Sequence, residues 1–248
     1  MSFSVTVLGS SGMFATQDRA ASGYLIRAGE MSLWMDAGGG SWRNLLGYID
    51  YEELDGIVLS HRHPDHTVDV FQALHARGFG GPEPLPAIPL WANAETLERV
   101  NAYATDVDVI FDLREVTAGS SIEIEKLRFS FFQMQHWCDT YGMRIEDPDG
   151  VLAYSSDTAL EADFAGLAHD ADVFLCEATK QDHDPVSDGH LRASEAAALA
   201  AQFGVAHLVL THLPPGRDLG LTLAEAHKTA QGTALELADD GNVYEVGG

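Results

Sequence analysis

The chain opens on a two-residue alternation. Phe3, Val5 and Val7 are interleaved with Ser2, Ser4 and Thr6, the pattern of a half-buried strand. Short apolar or alternating runs recur at 4–8, 23–27, 31–36, 56–60, 127–134, 151–155, 173–176 and 207–211, and each predicts a strand. Four Ala/Leu-rich runs with helical spacing, at 65–76, 94–104, 194–203 and 222–230, predict helices. The first half is strand-heavy with hairpin-like turns, and strand–helix alternation increases later. That order predicts an α/β fold, a sandwich of mixed sheets with outer helices. The only Gly/Pro-rich stretch, GFGGPEPLPAIP at 78–89, has the length of a loop between elements. No linker or repeat divides residues 1–248, so one domain is expected.

Composition narrows the partners. The chain has 248 residues, 46% of them hydrophobic, which is ample for one buried core. No apolar run approaches the ~20 residues of a membrane span. The first residues lack the charged start and apolar core of a signal peptide, and two cysteines make no disulfide framework. A cytoplasmic protein with no membrane partner is expected. The formal net charge is −24, from 14 basic and 38 acidic residues, and no Lys/Arg cluster occurs. Nucleic-acid binders neutralise phosphates with basic patches, so this balance argues against a long nucleic acid as partner. A solvated acidic surface is its plainest meaning.

The densest chemistry lies at 61–66. The strand 56–60 runs into His61-Arg62-His63-Pro64-Asp65-His66, which places four metal-ligand side chains within six residues. Without a cation these groups would crowd imidazoles and a carboxylate into one turn. Such donors suit Zn²⁺ first, and Mn²⁺ or Fe²⁺ also, rather than Ca²⁺. His61 and His63, two apart on an extended segment, point to one side. Asp65 and His66 follow the Pro64 bend and aim at a neighbouring position. Asp65 has a plainer alternative, capping the following helix.

HxHxDH resembles the signature of the metallo-β-lactamase superfamily. Further segments match in series: His136 before YGMRI at 141–145, Asp157 in SSDT at 155–158, and His212 in THLPP at 211–215. Ser156 stands where the family has Gly, which is expected to change the loop's backbone angles. The resemblance covers nearly the whole chain and implies a four-layer αββα sandwich with metals at one edge. It also implies two divalent ions. One would be held by His61, His63, His136 and Asp157, the other by Asp65, His66, Asp157 and His212.

Later segments bear on the branch. CEAT at 176–179 and GHLRASEAA at 189–197 resemble the EAT and HxxxxEAA segments of ribonuclease Z-like phosphodiesterases. There the His at the position of His190 assists phosphodiester cleavage; a polar surface residue leading a helix is the alternative. Ribonuclease Z carries a tRNA-binding arm between its third-His motif and the bridging Asp. Here His136 and Asp157 are 21 residues apart, filled by one hairpin turning at Asp149-Gly150, with no room for an arm. LGSSG at 8–12, SGYLIR at 22–27, DAGGG at 36–40, IFD at 110–112 and DVFLCEA at 172–178 are similar to the compact bacterial branch that includes cyclic-nucleotide phosphodiesterases. The GSSG turn also looks like a phosphate-cradling loop, a plain strand-ending turn being the alternative. The expected function is hydrolysis of a small phosphodiester, with Asp65 orienting the nucleophile and His190 assisting the leaving oxygen, and a homodimer is expected by resemblance. Alternatives are ribonuclease Z-type tRNA processing, ester, thioester or lactone hydrolysis, and a non-catalytic metal-binding or sensing role. His75, His169, His207 and His227 match no motif and read as packing or surface residues. His183 does too, although its loop could bring it near the site.

Overall fold

The computed structural model describes residues 2–103, 107–186 and 189–247. Strands β1 (Phe3–Gly9), β2 (Gly23–Ala28) and β3 (Met31–Ala37) form an antiparallel meander. From β3 onward, β4 (Gly56–Val58), β5 (Ile88–Ala92) and β6 (Phe111–Glu115) add in parallel. The second sheet repeats the plan. Strands β7 (Ser121–Ile124), β8 (Leu127–Gln133), β9 (Tyr141–Glu146) and β10 (Val151–Tyr154) are antiparallel. After them β11 (Val173–Glu177), β12 (His207–Thr211) and β13 (Ala234–Leu237) add in parallel. Strand β14 (Val243–Val246) returns to pair with β1. The result is two seven-stranded mixed sheets, ordered β14-β1-β2-β3-β4-β5-β6 and β13-β12-β11-β10-β9-β8-β7.

Parallel pairing needs crossovers, and these supply the outer layers. Helices α1 (Ser41–Leu45), α2 (Pro64–Thr67), α3 (Val70–Phe79), α4 (Ala94–Asn101) and α5 (Val107–Ile110) accompany the first sheet. Helices α6 (Phe164–Ala168), α7 (Ala193–Gln202) and α8 (Leu219–His227) accompany the second. Strand alternation divides the apolar residues between layers. Tyr24, Ile26, Leu33, Met35, Phe129, Phe131, Leu175 and Val209 fill the space between the sheets. Leu25, Trp34 and Ile57 face the first set of helices. Phe174, Cys176, Leu208 and Leu210 face the second, where Ala193, Ala196, Ala197 and Ala200 let α7 approach closely. Strands buried on both faces explain the unbroken apolar runs of β11 and β12. This is the four-layer αββα sandwich that the sequence resemblance implies.

Two helices depart from the sequence reading. The run at 65–76 is broken at Val68-Asp69, because the Asp69 amide donates to the Ala37 carbonyl at 2.8 Å instead of continuing the ladder. The Asp69 carboxylate then accepts from the amides of Gly40 at 2.7 Å and Trp42 at 3.0 Å, tying the break to the start of α1. The run at 222–230 begins earlier, at Leu219, because Asp218 caps it through Leu221 N at 3.0 Å. Helix α4 starts at Ala94 as expected, capped by Asn93, whose side chain accepts from Thr96 N at 2.8 Å. The expected end of that run, Ala104, lies outside the described residues.

Candidate metal centre

Strand ends bring the polar residues together. At one edge of the sandwich, Asp36 lies near the end of β3, Glu177 ends β11, and His212 follows β12 directly. His61 and Asp157 each lie three residues past a strand end, those of β4 and β10. The loops beyond the carboxyl ends of parallel strands can vary without disturbing the core. Local backbone does the rest. His63 is extended, at φ −66° and ψ 145°, as the residue before a proline should be. Pro64 opens α2, so Asp65 and His66 turn away from the extended pair. His63, not Asp65, occupies the cap position, so the capping alternative for Asp65 is not adopted.

Six sequence-predicted side chains converge on the two oxygens of the seventh, Asp157. On one side stand His61 Nε2, 3.8 Å from Asp157 Oδ2, and His136 Nε2, 3.7 Å from the same oxygen. His63 Nδ1 joins them, 3.0 Å from His61 Nε2 and 3.2 Å from His136 Nε2. On the other side, His66 Nε2 and His212 Nε2 each lie 3.3 Å from Asp157 Oδ1. Asp65 Oδ2 completes this group, 3.3 Å from His212 Nε2 and 3.9 Å from His66 Nε2. His66 Nε2 and Asp157 Oδ1 face each other without hydrogen-bond alignment, and both are buried with no hydrogen-bond partner. Orphaned buried polar atoms are costly, and aimed at one point they are what a cation would satisfy. The donor set, imidazole and carboxylate, fits a divalent transition ion.

A surrounding layer orients each ring. His66 Nδ1 donates to Asp36 Oδ2 at 2.7 Å. The same carboxylate also takes Tyr154 Oη at 2.7 Å, Ser60 Oγ at 2.8 Å and Ser60 N at 2.7 Å. His136 Nδ1 donates to the Gly189 carbonyl at 2.8 Å. Thr179 Oγ1 meets His212 Nδ1 at 2.8 Å, and Ser60 Oγ meets His61 Nδ1 at 3.0 Å. Such bonds leave the other ring nitrogen free to ligate. Burial pushes the His61, His63 and His136 imidazoles down, toward the neutral form a ligand needs. Burial works to raise the Asp65 carboxyl, but the His212 hydrogen bond and the nearby His66 hold it well below the ordinary range. Asp157 is likewise held low against burial by His212 and His66. His66 moves the other way: burial opposes its charge, but Asp157 and Asp36 outweigh it. The negative field that draws a proton to His66 would equally draw a metal cation.

Ser156 adopts a left-handed conformation, at φ 53°, a region that favours glycine. A side chain there carries a conformational cost, and its Oγ reaches His61 Nδ1 at 3.3 Å.

His190 joins the cluster from α7's leading edge, its side chain 10% exposed. Its Nδ1 donates to Glu177 Oε1 at 2.9 Å, and its ring lies 5.2 Å from that of His136 and 5.6 Å from that of His212. Burial disfavours charge on His190, but the Glu177 carboxylate outweighs it and raises the imidazole. Glu177 Oε1 also accepts Thr158 N at 2.7 Å, so one carboxylate steadies both His190 and the Asp157 loop.

Other candidates stay apart. His183 pairs with Asp184 at 3.8 Å with its side chain 63% exposed. His207 pairs with Glu236, and His169 with Asp170. In the GSSG turn, Ser10 Oγ donates to Asp240 and Ser11 Oγ to the Phe14 carbonyl, so the hydroxyls brace the turn. The turn also lies against the site. A Cβ on Gly12 would stand 2.8 Å from His212 Nδ1, and the next residue, Met13, donates its amide to Asp65 Oδ2 at 2.8 Å.

The profile of the beta-lactamase superfamily domain matches residues 36–213, which runs from Asp36 past His212. The chain belongs to the beta-lactamase superfamily. Within it, the chain is 31% identical over 250 residues to the probable metallo-hydrolase YhfI of Bacillus subtilis, covering 97% of this chain and 99% of that one. The crystal structure of YhfI superposes with a TM-score of 0.91 at 28% identity, over 99% of this chain and 100% of that one. Ribonuclease Z of Streptomyces coelicolor is 25% identical over 84% of this chain and 85% of its own length. A diphosphatase of the PhnP family shares the fold, with a TM-score of 0.76 at 20% identity over 99% of both chains. The chain is thus a metallo-hydrolase of the beta-lactamase superfamily with ribonuclease Z-like relatives.

Proposed function

We propose that this chain is a two-metal phosphodiesterase acting on a small phosphodiester such as a cyclic nucleotide. The observation that carries the reading is His190, hydrogen-bonded to Glu177 at 2.9 Å and set between the rings of His136 and His212. His61, His63, His136 and Asp157 would hold one ion, and Asp65, His66, Asp157 and His212 the other. Zn²⁺ is the first expectation, with Mn²⁺ and Fe²⁺ compatible. Bound there, divalent cations supply Lewis acidity toward water and toward phosphoryl oxygens.

The protein's own part is orientation and proton traffic. Asp65, kept ionised, accepts a proton from the attacking water and fixes its direction. His190, whose imidazole Glu177 raises against burial, would present Nε2–H to the departing oxygen and give up its proton as the P–O bond breaks. Asp36 holds His66 in one tautomer throughout.

Several features support a small substrate. Strands β9 and β10 form a hairpin closed by the Asp147 amide donating to the Gly150 carbonyl at 3.1 Å, and this hairpin occupies the interval where ribonuclease Z carries its arm. The net charge of −24 disfavours a polyanion. The reading takes residues 1–248 as one hydrolase domain working in the cytoplasm, with a homodimer expected from the resemblance. Among the described residues, no helix is long and apolar enough to cross a membrane.

A substrate panel on zinc-loaded protein tests the reading. It comprises bis(p-nitrophenyl) phosphate, 3′,5′-cyclic AMP, a 2′,3′-cyclic nucleotide, precursor tRNA, a lactone and a thioester. Turnover of the small diesters, with the others slow, is expected. Preference for the lactone or thioester, or for precursor tRNA, would replace it with the corresponding reading. Two bound metals with no turnover anywhere would indicate a sensing role.

A further inference from the structure

The chain has four tryptophans. Trp34, Trp42 and Trp91 are buried, whereas Trp137 is 59% exposed. Leaving a large indole in water forgoes burial that most aromatic rings obtain. Its place makes the exception informative, because it directly follows His136 at the mouth of the metal centre. The ring is not loosely placed. It lies 4.8 Å from the His136 ring at a 35° tilt and meets the His190 ring edge-on, at 5.1 Å and 84°. Gly189 makes the room: a Cβ there would come within 2.6 Å of Trp137 Cε2, so a larger residue would displace the indole. The same Gly189 holds His136 through its carbonyl, so metal ligand and indole are set by one backbone segment.

Beside His190 a small cavity of about 30 Å³ is lined mostly by charged side chains, Glu161, Lys180, Arg192 and Glu195, together with Leu160 and Pro185. On the Asp65 side, Met13 and Phe14 are exposed. The metal centre is thus bordered by charged and apolar groups alike, and the Trp137 indole sets a broad aromatic plane beside His190, the residue proposed to face the leaving oxygen.

We propose that Trp137 is a specificity-determining platform on which a flat aromatic ring of nucleobase size, carried on the leaving side of the substrate, stacks. This rests on the phosphodiester reading above and sharpens it. A ring stacked on the indole loses water from the face it buries at little entropic cost, because its contacts with His136, His190 and Gly189 already place the platform. Every nucleobase has such a face, so the platform selects for an aromatic group without choosing among bases.

Calorimetric titration of zinc-loaded protein with adenosine 5′-monophosphate and with ribose 5-phosphate tests this, since the second keeps the phosphate and sugar but carries an anomeric hydroxyl in place of the base. Wild-type protein is expected to bind the nucleotide roughly 5- to 100-fold more tightly. Trp137→Ala should remove that discrimination, and Trp137→Phe should restore most of it, with zinc content unchanged in both. No preference in the wild type, or a preference undiminished in Trp137→Ala, would overturn the proposal. So would loss of discrimination only together with zinc, since the indole would then merely pack His136. Binding is read without turnover. If the base preference holds and bis(p-nitrophenyl) phosphate is not hydrolysed, the phosphodiesterase reading fails while the platform stands.

Discussion

Around Asp157 Oδ2 stand three imidazoles; around Asp157 Oδ1 stand two imidazoles and the carboxylate of Asp65. The two halves differ again in what supports them. His61 rests on the hydroxyls of Ser60 and Ser156, and His136 on a backbone carbonyl. His66 rests on the buried carboxylate of Asp36. His63 Nε2 faces the Cys138 thiol at 3.8 Å, a soft neighbour on the imidazole side. Negative charge is therefore concentrated on the Asp65 half, which suits a harder cation, while the His63 half suits a softer one. In the proposed mechanism the asymmetry also separates tasks: the carboxylate-rich half would hold the base for the incoming water, and the acid for the leaving oxygen would lie outside both halves, at His190.

The comparison breaks most completely at the residue both halves share. Asp157→Ala should lose nearly all turnover and at least one metal equivalent per chain by elemental analysis. Full metal retention would contradict a bridging role. His190→Ala should keep both metals and lose about 10²- to 10⁴-fold in turnover, the usual worth of a positioned acid. Parallel loss of metal would make His190 a ligand, a role its placement beside His136 and Asp157, or beside Glu177 and His212, would also permit. Asp36→Asn sharpens the contrast between the halves. It should weaken metal affinity on the Asp65 side by about 10- to 100-fold, with the other equivalent retained, as competition with a chelator would reveal. Equal weakening of both equivalents would mean that Asp36 supports the edge as a whole.

The side chains proposed as ligands were legible in sequence because they are reactive groups clustered just past apolar runs. Pro64 even announced the bend that parts His61 and His63 from Asp65 and His66. The supporting layer was harder to see. Asp36, Glu177 and Thr179 lie within recognisable segments, yet their partners lie far along the chain: Asp36 meets Tyr154 118 residues later, and Thr179 meets His212 33 residues later. No local pattern encodes such contacts. Trp137 and Cys138 gave no periodic signal, and only the fold places them against His190 and His63. In the fold, strands buried on both faces were easy to read. The short edge strands β7 and β13 alternate half-buried and exposed positions over only four residues each, too few to distinguish from loop. The break at Asp69 escaped detection because its cause, the Ala37 carbonyl, belongs to another strand.

The central claim is that two metals, one in each half, act together on a phosphodiester. It is tested most directly by titrating metal-free protein with Zn²⁺ while following bis(p-nitrophenyl) phosphate hydrolysis and bound metal together. Activity should stay low through the first equivalent, rise with the second, and saturate at two per chain. Saturation at one equivalent, with the second bound but without effect, would contradict it.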